Sequence, residues 1–267
     1  MQLWAADGER GLTAAEGGSC RLLGPPCSAL CAGWGRIFCA EPHRCVCRSR
    51  ETGDPLFSLP LPTGVCAMTV WDGAVCALSS DADSVTAFSA RTGELLCCAP
   101  AGVYPRDLCV SRQGRFLAVA GGAGGSVLLL DRNLRLLREY RLPGTVCGVC
   151  CLRRSLLALC AVERGEIETR LLRVSCRGAA EEVFSSPLPP ACLCPLPGGC
   201  AVGCMGRVIF LSAGYKTLRT LPCPCPVRIR PTPWGPLICD PCRGTAALAD
   251  GRVLYRGPSP QDAVLVY

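Results

Sequence analysis

Apolar residues along the chain come in short runs bounded by Gly, Pro or Asp-Gly, and helical periodicity is almost absent. Val85–Phe88, Phe116–Val119, Ser126–Leu130 and Arg207–Leu211 have the length and β-branched character of strands. Turn dipeptides recur between such runs: Asp72-Gly73, Thr92-Gly93, Gln113-Gly114, Pro143-Gly144, Gly198-Gly199 and Asp250-Gly251. Many short strands with frequent turns imply an all-β sandwich, barrel or propeller, and an internal repeat decides between them.

Segment 65–105 reads as four strands, Cys66–Trp71, Ala74–Ser79, Ser84–Ala90 and Glu94–Ala99. Segment 106–146 repeats the order with Asp107–Ser111, Arg115–Ala120, Ser126–Asp131 and Leu136–Leu142. Segments 27–64, 147–189, 190–227 and 228–260 fit the same template less closely, which makes six units. Residues 261–267 supply one further strand, and residues 1–26 supply three: Gln2–Ala6, Leu12–Ala15 and Cys20–Leu23. One plus three completes a seventh unit, and 267 residues over seven units is about 38 each, the length of a four-stranded propeller blade. The expectation is a single domain over 1–267, a seven-bladed β-propeller of four-stranded antiparallel blades. Its ring closes where the C-terminal strand Asp262–Tyr267 becomes the innermost strand of the N-terminal blade.

The stretch Tyr104-Pro105-Arg106-Asp107-Leu108-Cys109-Val110-Ser111-Arg112-Gln113-Gly114, with the apolar strand after it, resembles the YVTN-type bacterial β-propeller repeat. The likeness continues through Gly125–Asp131 and returns at Ser84–Glu94 with its Thr-Gly turn. Gln113 stands where that family carries Asp, and Ala120 where its Asn is common. The resemblance implies a seven-bladed propeller and no single activity, since such rings serve as lactonases, cofactor enzymes and plain binding modules. It also implies frequent export, yet Met1–Asp7 holds neither a basic nor an apolar leader, and a cytoplasmic location is expected.

Composition narrows the picture further. Hydrophobic residues make up 49% of the chain, which excludes a disordered one. No stretch is long and uninterrupted enough to cross a membrane as a helix, because uncharged 116–130 and 184–206 are broken by Gly or Pro. The net charge is +7, but Lys216 is the only lysine and Asn133 the only asparagine, a bias that a GC-rich genome produces without any functional demand. The basic residues form no run, so nucleic-acid or other polyanion binding is an alternative and not the favoured reading.

Candidate chemistry is sparse. His43, in Glu41-Pro42-His43-Arg44, is the only histidine. That excludes any centre needing two and makes His43 the only possible base of a Ser-His-Asp triad. No Gly-x-Ser-x-Gly elbow occurs, and a lactonase-like hydrolase is therefore the runner-up. The 24 cysteines include Cys147-x-x-Cys150 and Cys239-x-x-Cys242, but these lie in units that are not adjacent and supply two ligands each. Cys31, Cys109, Cys150 and Cys194 fall in first strands and would ring the channel with thiols if they faced inward. The competing expectation, which we adopt, is core filling by small apolar side chains in a reducing compartment, with few disulfides, no metal and no cofactor.

Trp34, Trp71 and Trp234 recur at the ends of first strands, where they form either a binding patch or wedges between blades. On the opposite mouth the interblade connection offers Tyr104, Arg106 and Asp107, with Arg106 and Asp107 as the best ligand-facing pair. The sequence thus points to a non-catalytic binding or scaffolding propeller. It is expected to be monomeric, with an unidentified protein or small molecule at one face and no membrane partner.

Overall fold

A computed structural model describes residues 2–17, 19–152 and 155–266. Strands β1 (Gln2–Asp7), β2 (Gly11–Glu16) and β3 (Ser19–Gly24) open the chain. The second sheet holds β4 (Ala29–Gly33), β5 (Arg36–Glu41), β6 (Arg44–Ser49) and β7 (Pro55–Pro60), and the third β8 (Val65–Trp71), β9 (Ala74–Ser79), β10 (Ser84–Ser89) and β11 (Leu95–Pro100). The fourth holds β12 (Asp107–Val110), β13 (Leu117–Ala120), β14 (Ser126–Leu130) and β15 (Leu136–Arg141). The fifth, with the longest strands, is β16 (Thr145–Cys151), β17 (Leu156–Arg164), β18 (Glu166–Val174) and β19 (Ala180–Ser186). The sixth is β20 (Pro190–Leu196), β21 (Gly199–Cys204), β22 (Gly206–Ser212) and β23 (Thr217–Cys223). The seventh, with the shortest strands, is β24 (Arg228–Arg230), β25 (Leu237–Asp240), β26 (Thr245–Leu248) and β27 (Val253–Arg256). Strand β28 (Pro260–Val266) then returns to pair antiparallel with β1, so the first sheet has the order β28-β1-β2-β3. Tyr267, at the end of the expected closing strand, lies outside the described residues.

Seven four-stranded antiparallel sheets in this order form a seven-bladed β-propeller, with blades I to VII numbered from the one that contains both chain ends. The burial pattern explains why. Second and third strands such as Arg36–Glu41 and Ser84–Ser89 are buried on both faces, whereas outermost strands such as Leu95–Pro100 are largely exposed. Successive side chains feed opposite seams: Ile37 and Cys39 pack against blade I, while Phe38 and Ala40 pack against blade III. Seven apolar clusters result, one at each seam between neighbouring blades.

Two local devices repeat around the ring. The turn from third to outermost strand is capped by a Ser or Asp at the third strand's end. Ser49, Ser89, Asp131, Ser175, Ser212 and Asp250 each accept backbone N–H groups from the turn that follows. The outermost strand carries a one-residue β-bulge in every blade, and the extra residue is always apolar: Leu23, Leu56, Leu96, Leu137, Val183, Leu218 and Leu254.

Antiparallel alternation sorts the loops. Turns after innermost and third strands lie on one face, here the exit face, and interblade connections lie on the other, the entry face.

Candidate functional site

The bore of the ring is crossed by a single strand's side chains. In β24, Arg228 and Arg230 are two residues apart and share one side. Arg230 forms a two-pronged pair with Asp262 of β28, Nε to Oδ1 at 2.8 Å and Nη2 to Oδ2 at 2.5 Å, and Nη2 also donates to the Leu30 carbonyl at 2.6 Å. Asp262 is wholly buried and accepts the Leu30 N–H at 3.0 Å. Arg228 reaches across the bore instead. Its Nη1 meets Asp107 Oδ1 at 3.2 Å, and its Nη2 donates to the Cys66 carbonyl at 2.7 Å. Asp107 Oδ2 accepts the Val149 N–H at 3.2 Å. One three-residue strand of blade VII therefore ties blades I, II, III and IV together, and Asp107 extends the network to blade V.

The two carboxylates respond differently. Burial pushes the Asp262 carboxyl up, but the Arg230 charge and hydrogen bonds outweigh it and hold the group below its ordinary value. At Asp107 burial prevails over the more distant Arg228, and the carboxyl sits above its ordinary value. The Arg228 Nε is buried and has no hydrogen-bond acceptor.

On the exit face the mouth of the bore opens into a cavity of about 240 Å³, with Arg230 in its lining beside Thr69, Thr232, Val70 and Val264. Trp34 and Trp234 stand on exit-face turns of blades II and VII, the two neighbours of blade I, and are 54% and 43% exposed. Trp71 is different. It is 5% exposed, its Nε1 donates to the Gly114 carbonyl of blade IV at 2.9 Å, and its ring belongs to the III/IV seam. Trp234 lies in the turn beyond β24, which ends at Arg230, and not at a strand end.

Tyr104, Arg106 and Asp107 lie at the entry face as expected from their place in the connection, but they do not act together. The Tyr104 ring is 60% exposed, and its backbone N–H donates to Asp83 Oδ1 at 2.7 Å. Arg106 is exposed, whereas Asp107 is committed to Arg228 and Val149 inside the bore. His43 occupies a left-handed position, φ 64°, in an exposed entry-face turn.

The four first-strand cysteines do not form a ring. Alternation turns Cys31 into the II/III seam, Cys109 into IV/V, Cys150 into V/VI and Cys194 into VI/VII. Among the described residues no group of three or more His, Cys, Asp or Glu side chains is placed to hold a metal ion. Arg228, Arg230 and Asp262 escaped the sequence reading. The available signals were the Arg-x-Arg alternation and one acid inside an apolar terminal run.

No protein-family model matches the chain, and no curated protein matches it. Solved structures do. A chain of a mitotic checkpoint complex superimposes with a TM-score of 0.74 at 12% identity, over 96% of this chain and 83% of that one. The WD40 propeller domain of Doa1 gives 0.70 at 13% identity, covering 89% and 85% of the two chains. Virginiamycin B lyase from Staphylococcus aureus gives 0.66 at 12% identity, covering 85% and 82%. At such identities the likeness establishes the propeller fold alone. It spans a checkpoint-complex chain, a WD40 domain and a lyase alike.

Proposed function

We propose that this chain is a non-catalytic binding propeller that seats an extended segment of a partner protein across its exit face, anchored by Trp34 and Trp234. The observation that carries this reading is the exposure of both indoles on the exit-face turns that flank blade I, each two residues along the chain from a residue lining the mouth cavity, Ala32 and Thr232. Exposed large aromatics are the usual anchors of protein interfaces, and the mixed polar and apolar lining of the cavity between them offers hydrogen-bonding groups as well. Trp71 and Asp107 act from within, as seam and bore residues. Tyr104 and Arg106 offer a second contact surface on the entry face. A monomeric state, descent from the YVTN-type repeat and a bacterial cytoplasmic setting are parts of the same proposal. They are supported by the Tyr104–Asp131 motif and by a thiol content suited to reducing conditions.

The hydrolase alternative has only His43 to draw on, in an exposed turn on the face opposite the mouth cavity. Selection of a random peptide library on the immobilised protein tests the reading. Enriched peptides should lose more than about tenfold in affinity on Trp34→Ala/Trp234→Ala and keep it on Tyr104→Ala. Peptides that bind the double variant as well as the wild type would remove the exit face from consideration.

A further inference from the structure

Most of the cysteines are packed into the seams between blades, and burial holds thiols such as Cys39, Cys150, Cys192 and Cys239 well above their ordinary range. Such thiols are inert. One pair meets across a seam. Cys109 on β12 of blade IV donates its S–H to the Cys151 sulfur, at the end of β16 in blade V, across 3.4 Å. The two residues are 42 positions apart in sequence, but both sit on innermost strands at the IV/V seam. A disulfide needs about 2.0 Å between sulfurs, so each must move by roughly 0.7 Å, within reach of small side-chain rotations.

Access distinguishes the partners. Cys151 lines a cavity of about 270 Å³ at the seam, with Ser111, Arg112, Arg115 and Cys176 also in its lining. Two exposed guanidinium groups, Arg112 and Arg115, thus share the lining with the Cys151 sulfur. Cys109 does not line this cavity.

We propose that Cys151 and Cys109 form an oxidisable dithiol for a small hydroperoxide. Cys151 is the sulfur that meets the oxidant, and Cys109 is the thiol that resolves it. Cys151 loses its proton to solvent, and its sulfur attacks the terminal peroxide oxygen. The S–O bond forms, the O–O bond breaks, and hydroxide leaves to become water. Cys109 then gives up its proton and attacks the resulting sulfenic sulfur. The S–S bond forms and the S–O bond breaks, releasing a second water. In sum, two thiols and one hydrogen peroxide become one disulfide and two waters, and an external dithiol reverses the change. The hydrogen bond to Cys151, followed by burial, keeps the Cys109 thiol protonated beforehand, which suits the second role and not the first. The product joins the innermost strands of blades IV and V.

The test uses the full chain with exposed Cys20, Cys98, Cys176 and Cys242 replaced by Ser. After brief hydrogen peroxide treatment, acid alkylation and non-reducing peptide mapping should find one linked pair, Cys109–Cys151, together with a raised melting temperature that reductant reverses. Cys109→Ser should leave Cys151 trapped as a sulfenic acid that dimedone labels, with no shift in melting temperature. The same map on the unmutated chain guards against misfolding of the variants. There Cys225 and Cys242, which share a surface thiol hydrogen bond, are the rival pair. Recovery of both Cys109 and Cys151 as alkylated thiols after oxidation, whatever else is bridged, overturns the proposal.

Discussion

The two sides of the bore hold the same kinds of groups and treat them differently. On one side Arg230 meets Asp262 through two parallel hydrogen bonds, and a backbone N–H completes the carboxylate's shell. On the other, Arg228 spans the ring to a single oxygen of Asp107 at 3.2 Å and leaves its Nε unsatisfied. The donor strand is common to both, so the difference comes from the approach. Asp262 belongs to the neighbouring blade and faces Arg230 squarely, whereas Asp107 lies across the channel. Asp262 is the more deeply buried of the two carboxylates, yet its two-pronged pairing offsets the desolvation and the single contact of Asp107 does not. A charge pair in a channel is thus a strong clamp or a weak one according to angle and reach, not residue type.

The largest expected effect comes from removing the strong clamp. Arg230→Ala strands a fully buried Asp262 and should lower unfolding free energy by about 3–5 kcal/mol in urea titrations. Replacing both partners, as Arg230→Met with Asp262→Leu, should recover most of that loss. A double variant as unstable as the single one would show that the guanidinium's bonds to Leu30, and not the charge pair, hold the blades.

Arg228→Ala should cost less, about 1–3 kcal/mol, chiefly through the bond to the Cys66 carbonyl and the charge left on Asp107. If it equals Arg230→Ala, the contrast between the two sides fails.

The smallest effect is in pH dependence, and its sign separates the carboxylates. Asp262 titrates lower in the folded chain, so its stabilisation is complete above the unfolded value of about 3.9 and is lost as pH falls through the folded one. Asp107 titrates higher when folded, so its contribution is present below about 3.9 and is lost as pH rises through the folded value. Stability measured between acid and neutral pH should therefore show Asp262→Asn losing ground to wild type as pH rises and Asp107→Asn gaining on it. Parallel curves for the two variants would mean that burial, and not pairing geometry, governs both groups.

The architecture was legible because each level of the sequence repeats. Short apolar runs mark strands, and turn dipeptides such as Asp72-Gly73 and Thr92-Gly93 mark their ends in unit after unit. The bore was not legible. Arg228-Ile229-Arg230 is a three-residue strand among prolines, and its partners lie 121 and 32 positions away, where no local pattern points. Asp107 read as ligand-facing because its connection faces a mouth, but strand alternation turns its side chain inward. Trp71 read like Trp34 because both precede a tight turn with Gly. Trp71 ends a strand and packs into the III/IV seam against the Gly114 carbonyl, 43 positions away, whereas Trp34 sits in a left-handed turn beyond its strand and stays exposed.

Every disc of this shape presents seven outward-facing strand edges, and each is a potential point of attachment for another disc. A ring with seven intact edges would be a heptavalent node, and above a modest concentration such nodes percolate into a gel of continuous sheet. The apolar bulge in all seven outermost strands breaks the register that a second strand would need and lowers that valence at every position. Excision of one bulged residue, such as Leu96, would straighten only one edge and yield at most paired discs. Two such edges on one ring would suffice for chains, and three for a network.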